Sequence, residues 1–250
     1  MQLENPIMQR YSVINEKNKR EIVLLRGKGC GWRKCRFCDY HLDYCTDQIA
    51  NHLLNKVELE KVTGIHKKLE IINSGSFVEL PTPTMDLIEK LCVDKNIKEL
   101  HFESHWHNIE GVLKIKDYFS SLEKPVDVKV KIGVETFDYL FRESYLVKGI
   151  DEASPEKIAQ YFNECCLLQG IPGQTHTSMI QDIEIGLKYF ERVCVNIMQD
   201  NGMPIKPDPK VIEQFEKYVL PIYIDNDRVD ILMENTAFGV GGVTTNAISK

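Results

Sequence analysis

No run of apolar residues in this 250-residue chain approaches the length of a membrane span. Its start, MQLENPIMQRYSVINEKNKR, lacks an apolar h-region, so a secretory signal is not expected and the expected setting is the cytoplasm. Linkers rich in proline, glycine or serine, blocks of like charge, internal repeats and low-complexity tracts are all missing. That leaves one large domain over 21–250, preceded by a short N-terminal extension over 1–20. Excess positive charge is missing too. The net charge is −6, which leaves no basic footprint for an extended nucleic-acid surface, and no stable nucleic-acid partner is expected.

What is present is ordinary core-forming composition, 43% hydrophobic and 27% charged, arranged as short branched runs alternating with helical ones. EIVLLRG, KLEIINSGS, IKELHFESHWH and VDVKVKIGVET read as strands, as do RVCVNIMQ and DRVDILME nearer the C-terminus. Between them TDQIANHLLNKVELEKVTGI is helical, with Ile49, Leu53 and Val57 on one stripe, and TMDLIEKLCV, EGVLKIKDYFSSL, SMIQDIEIGLKYFE and DPKVIEQFEKYV follow as helices. SPEKIAQYFNECCLLQG also reads as a helix, capped by Ser154, opened by Pro155 and stopped by Gly170, with a weaker strand over 174–177 after it. Strands alternating with helices imply a parallel sheet with right-handed crossovers. Roughly six or seven such units fall short of the eight of a closed barrel, so the expected fold is α/β, a partial, open (β/α)6 barrel.

Cysteine is distributed unevenly. Four of the eight stand in one stretch, RGKGCGWRKCRFCDYHLDYC: Cys30, Cys35, Cys38 and Cys45. The others, Cys92, Cys165, Cys166 and Cys194, lie in apolar periodic segments and read as small buried hydrophobes. Clustered thiols in a reducing compartment point to metal or catalysis rather than disulfides. The loop follows the first strand, at the carboxyl end of the sheet, where parallel α/β folds place their chemistry. Cys30, Cys35 and Cys38 have C-x4-C-x2-C spacing. Three thiolates hold three irons of a 4Fe–4S cluster and leave the fourth open. The rival reading is structural zinc held by all four cysteines, or by three with His41, although such sites usually staple folds that lack a core.

The loop resembles the signature of the radical S-adenosylmethionine (SAM) enzymes, C-x3-C-x2-C with an aromatic before the last cysteine. Phe37 stands in that place, and the loop is one residue longer. INSGSF, with Ser74, Gly75 and Ser76, is similar to the family's glycine-rich turn for the SAM amino group, with serines in place of a second glycine and a glutamate. HFES puts Glu103 and Ser104 where family members contact SAM, and IGVET, with Glu135, resembles a further family motif. The resemblance covers roughly residues 20–235 and implies a 4Fe–4S cluster on Cys30, Cys35 and Cys38, with SAM as cosubstrate and a reduced flavodoxin or ferredoxin as electron donor. More narrowly, the chain resembles the compact radical SAM lyases of bacterial queuine salvage. That implies a deazapurine base as small-molecule substrate and cleavage of a C–N bond to release preQ1. A radical SAM enzyme that modifies tRNA or a nucleoside is the alternative, and the N-terminal twenty residues are read either as a cap on the open barrel or as part of a homodimer interface.

Polar residues expected near strand ends, hence in the lumen, are Glu79, His105, His107, His176, Asn196, Gln199, Asp200 and Glu234. His105 and His107 are the candidate proton shuttles, both on one side of the strand if the alternation runs through HWH. Asp200 and Glu234 are the candidate carboxylates for the adjacent N–H groups of a guanine-like base. Cys45 carries no assigned role.

Overall fold

The computed structural model describes residues 9–233, so Glu234 lies outside the described residues. Eight strands form one sheet in chain order: β1 (Tyr11–Ile14), β2 (Arg20–Leu25), β3 (Lys68–Asn73), β4 (Glu99–Glu103), β5 (Asp127–Glu135), β6 (Glu164–Gln169), β7 (Arg192–Ile197) and β8 (Val229–Leu232). Strands β2 to β8 are all parallel; β1, from the N-terminal extension, pairs antiparallel with β2. The sheet curls into the expected half-barrel. The helices are α1 (Gln48–Leu59), α2 (Thr82–Lys95), α3 (Ile109–Ser120), α4 (Pro155–Ala159), α5 (His176–Tyr189), α6 (Pro209–Gln214) and α7 (Leu220–Tyr223). Among the described residues, no helix is long and apolar enough to cross a membrane.

Every residue of β2, REIVLL, is buried, as a strand covered on both faces requires. Its outward Val23 and Leu25 join Leu69, Ile71, Leu100, Phe102, Val130 and Val193 in the main core under the helices. Inward residues face the lumen. Near the amino ends of the strands these are charged: Arg20 donates to Glu70 at 2.5 Å, Lys131 donates to the other oxygen of Glu70, and His101 lies between Glu99 (2.6 Å) and Glu164 (3.2 Å). Burial disfavours the Glu70 carboxylate, but Lys131 and Arg20 outweigh it and hold its pKa well below the usual range.

Two expectations are overturned. Only Pro155–Ala159 of the segment 154–170 is helical, and Glu164–Gln169 is strand β6. An apolar run of this length suits a buried strand as well as a buried helix. In the strand, Cys165 and Leu167 turn to the core while Cys166 and Leu168 line the lumen. Ser154 does cap α4, accepting from the Lys157 amide, but Gly170, at φ +90°, ends a strand and not a helix. The strand expected over 174–177 is likewise absent: Thr175 is the cap of α5.

The apolar stripe of α1 faces outward, with Ile49 74% exposed, while Asn51 and Asn55 are fully buried. These asparagines have partners that need them. Asn55 accepts from the Arg26 amide (2.8 Å) and donates to the Arg26 carbonyl (2.9 Å). Asn51 accepts from Arg26 Nε and donates to the Cys45 carbonyl at 2.7 Å. Together they pin both ends of the cysteine loop.

Candidate active site

Between its pinned ends, the cysteine loop crosses the mouth of the half-barrel. On the near side it packs against the turn after β3. The Glu79 carboxylate accepts from the Gly31 amide (2.5 Å) and the Ser76 amide (2.6 Å). A Cβ on Gly75 would stand 2.9 Å from Cys30 Cα and closer still to Glu79, so only glycine fits between turn and loop. On the far side, Phe37 is buried among Leu146, Leu168, Ile171, Met198 and Ile205. The Arg36 amide donates to the Leu146 carbonyl, and Asn201 donates to the Phe37 carbonyl at 2.8 Å.

Under this loop lies a cavity of about 730 Å³, within the range of small-molecule sites. Cys30, Cys35 and Cys38 all line it, as do Phe37, Ser74, Gly75, Glu103, Ser104, His105, Glu135 and Asp200; Cys45, Ser76 and His107 do not. Burial pushes the Cys35 thiol up, and Cys38 up to about 12. Among the described residues, no three His, Cys, Asp or Glu side chains gather closely enough to hold a single metal ion.

Ser76 is structural. Its hydroxyl accepts from the His105 amide (2.9 Å) and from Asn108 (2.8 Å), tying the turn after β3 to the one after β4. His105 and His107 do touch, Nδ1 to Nδ1 at 2.6 Å, but through a 3-10 turn over Trp106–Asn108, because β4 ends at Glu103. His105 Nε2 donates to the Lys148 carbonyl at 2.8 Å, and its ring stacks on Trp32. Burial lowers its pKa to about 3, so it stays neutral and positions its neighbours. His107 is exposed.

Glu135 ends β5 at φ +69°, next to a register shift between Gly133 and Glu135. A non-glycine residue in the left-handed region beside a bulge is strained, and such strain concentrates at functional sites. Here the bend turns Glu135 into the cavity, where Lys148 donates to it at 2.7 Å. Lys148 was not among the residues expected from the sequence. It sits beside Cys35, Cys38 and the Phe37 ring (5.6 Å). Its one sequence signal is the following Gly149, at φ +74°, where a Cβ would strike Trp32.

The remaining expected lumen residues divide. Asn196, Gln199 and Asp200 line the cavity, and the Asn196 Oδ1 is buried without a partner among the described residues. Asp200 is on the exposed rim, held by Lys206 at 2.5 Å. Glu79 is occupied with the loop amides, and His176 opens α5 against Tyr218, away from the cavity.

No protein-family model matches the chain. The half-barrel fold is found in other solved structures. Streptococcus suis SuiB bound to S-adenosylmethionine shares that fold, with a TM-score of 0.52 at 14% identity over 85% of this chain and 50% of that one. Similarity to the queuine lyase from Clostridium spiroforme bound to SAM and queuine runs much deeper: 41% identity, TM-score 0.87, covering 94% of this chain and 100% of that chain. The chain belongs to the radical SAM superfamily and, within it, to the family of that queuine lyase. It is also 29% identical over 165 residues to the uncharacterized protein MJ0550 of Methanocaldococcus jannaschii, a match that spans 59% of this chain and 43% of that protein's length.

Proposed function

We propose that this protein is a radical SAM lyase that breaks the C–N bond of queuine and releases preQ1, the aminomethyl deazaguanine. The observation that carries the reading is the full-length similarity to a queuine lyase, joined to three thiols on one wall of a cavity of about 730 Å³. The donor set fits a 4Fe–4S cluster with one open iron. Cys30, Cys35 and Cys38 face the cavity and Cys45 is directed elsewhere, which supports three ligands over a closed four-cysteine zinc site. When bound, cluster and SAM supply a carbon radical able to abstract hydrogen; orientation and exclusion of water fall to the protein.

Ser74, Gly75, Ser104 and Glu135 are the SAM contacts in this reading. Gly75 opens the cradle beside Cys30, and Glu135 anchors Lys148, whose charge faces Cys35 and Cys38. His105 holds the Lys148 carbonyl and so fixes that cation's loop. Phe37 locks the C-x2-C segment to the far rim. The allylic C–N bond is not activated for simple hydrolysis, which suits a radical route. A reduced flavodoxin or ferredoxin as electron donor, a cytoplasmic setting and a homodimer complete the reading.

The test is anaerobic reconstitution with iron and sulfide, followed by SAM, reductant and queuine. Release of preQ1 with stoichiometric loss of SAM is expected. SAM cleavage without preQ1 would reject the substrate and keep the superfamily. Salt-dependent binding of tRNA would move the reading to a nucleic-acid substrate.

A further inference from the structure

The floor of the cavity holds a pair of residues whose chemistry the proposed reaction leaves unexplained. Glu103 and Lys131 are register partners on β4 and β5, and both line the cavity. Neighbours at matched register on one face of a sheet stand about 5 Å apart at their backbones, so an ion pair between them is the expected outcome. It does not form. Lys131 turns down to Glu70, and the Glu103 side chain makes no hydrogen bond or ion pair among the described residues. Its stem is half-buried, and loss of water pushes its carboxyl up to about 7. Across the lumen, Asn196 Oδ1 is a second acceptor without a donor among the described residues. Asp200, expected to read the base, is on the rim and already engaged by Lys206.

A buried acceptor without a donor, as at Asn196 Oδ1, is costly unless a ligand brings one, and a carboxylate that opens onto a cavity without an ion-pair partner is available to donors on a ligand. A carboxylate takes two parallel N–H groups from one planar partner. An ammonium has three donors, of which Glu70 uses one, so Lys131 retains the capacity to donate upward. Two N–H donors beside a carbonyl acceptor are the lactam and amino edge of a guanine-type ring. An adenine-type edge puts a ring lone pair against the carboxylate instead and is repelled.

We propose that Glu103, flanked by Lys131, is the specificity element that reads the 2-amino and lactam edge of the base, and that it belongs to the substrate half of the cavity and not to the SAM half. This rests on the queuine lyase reading and names the group that would enforce it.

The experiment is equilibrium binding to the reconstituted holoprotein in the presence of SAM and without reductant, so that no turnover is needed. The probes are queuine, and queuine lacking the 2-amino group. The wild type should bind the analogue about 10- to 100-fold more weakly, the effect of one charge-assisted hydrogen bond. Glu103→Gln should lose a similar factor toward queuine and most of its discrimination between the two probes. Its SAM affinity and cluster absorbance should be unchanged. Equal affinity of the wild type for both probes overturns the assignment without any variant. So does a Glu103→Gln protein that binds queuine normally, or one that loses SAM affinity in its place. A wild type that binds neither probe overturns the queuine reading itself, and this inference with it.

Discussion

On the inward faces of the same strands, the two ends of the lumen treat charge in opposite ways. At the amino ends Glu70 lies between Arg20 and Lys131, and His101 between Glu99 and Glu164. At the carboxyl ends the Glu103 carboxylate and the Asn196 oxygen have no hydrogen-bond partner among the described residues, and three thiols line the cavity. Paired charge at the base keeps the half-barrel in register without a ligand. Acceptors left unpaired at the mouth are available to donors on a ligand. The contrast separates groups that hold the fold from groups that meet a ligand, even though they alternate along one sheet.

That contrast can be broken from either end. The largest effect is expected at the mouth: Cys35→Ala should abolish cluster uptake, measured as iron, sulfide and visible absorbance after anaerobic reconstitution. Cys45→Ala should retain all three signals, and loss of iron in that variant would reveal a fourth ligand. At the base, Glu70→Ala leaves Arg20 and Lys131 as uncompensated buried cations and should cost about 3–5 kcal/mol in urea unfolding. Asn55→Ala strips two hydrogen bonds from the backbone of Arg26 and should cost about 1–3 kcal/mol, with weaker cluster retention because one end of the loop is released.

The smallest effect is pH-dependent. Burial would lower the His101 pKa, but Glu164 and Glu99 on its two nitrogens raise it. Its contribution to stability is therefore fully present below the unfolded-state value of about 6.5 and is lost as pH rises through the higher folded value. Glu99, lowered to about 2 chiefly by its bond to His101, acts in the opposite sense: its contribution is present above about 4.3 and is lost as pH falls toward 2. Urea midpoints should thus fall on the alkaline side in the wild type, and His101→Gln should flatten that limb. An unchanged limb would assign the alkaline loss to other groups.

The sequence made much of this legible. Branched runs marked β2, β3, β5, β7 and β8, and the C-x4-C-x2-C loop fell after the first parallel strand, where its thiols line the cavity. What was hidden depended on partners distant in the chain. Within ECCLLQ the four central residues, Cys165 to Leu168, are all apolar, so periodicity alone did not distinguish strand from helix, and the lumen-facing Cys166 went with it. Asn51 and Asn55 look like the polar face of an amphipathic helix until Arg26 is seen beneath them. Lys148 lies in an irregular loop and acquires meaning only through Glu135 and the nearby thiols. Glu103 was visible as a strand-end acid, but its lack of a counter-ion is a fact of three dimensions, set by the downward turn of Lys131.

The path of the cysteine loop has a mechanical consequence. Cys30 is set by the near rim, through Gly75 and Glu79, whereas Cys35 and Cys38 flank Phe37 on the far rim, beside Leu146 and Ile205. A rigid inorganic cube held by all three sulfurs would act as a rivet across an incomplete cylinder. Pulling it out should loosen the remote segment around Met198–Ile205 as well as the metal's own surroundings, and faster amide exchange there on iron removal would register the lost brace.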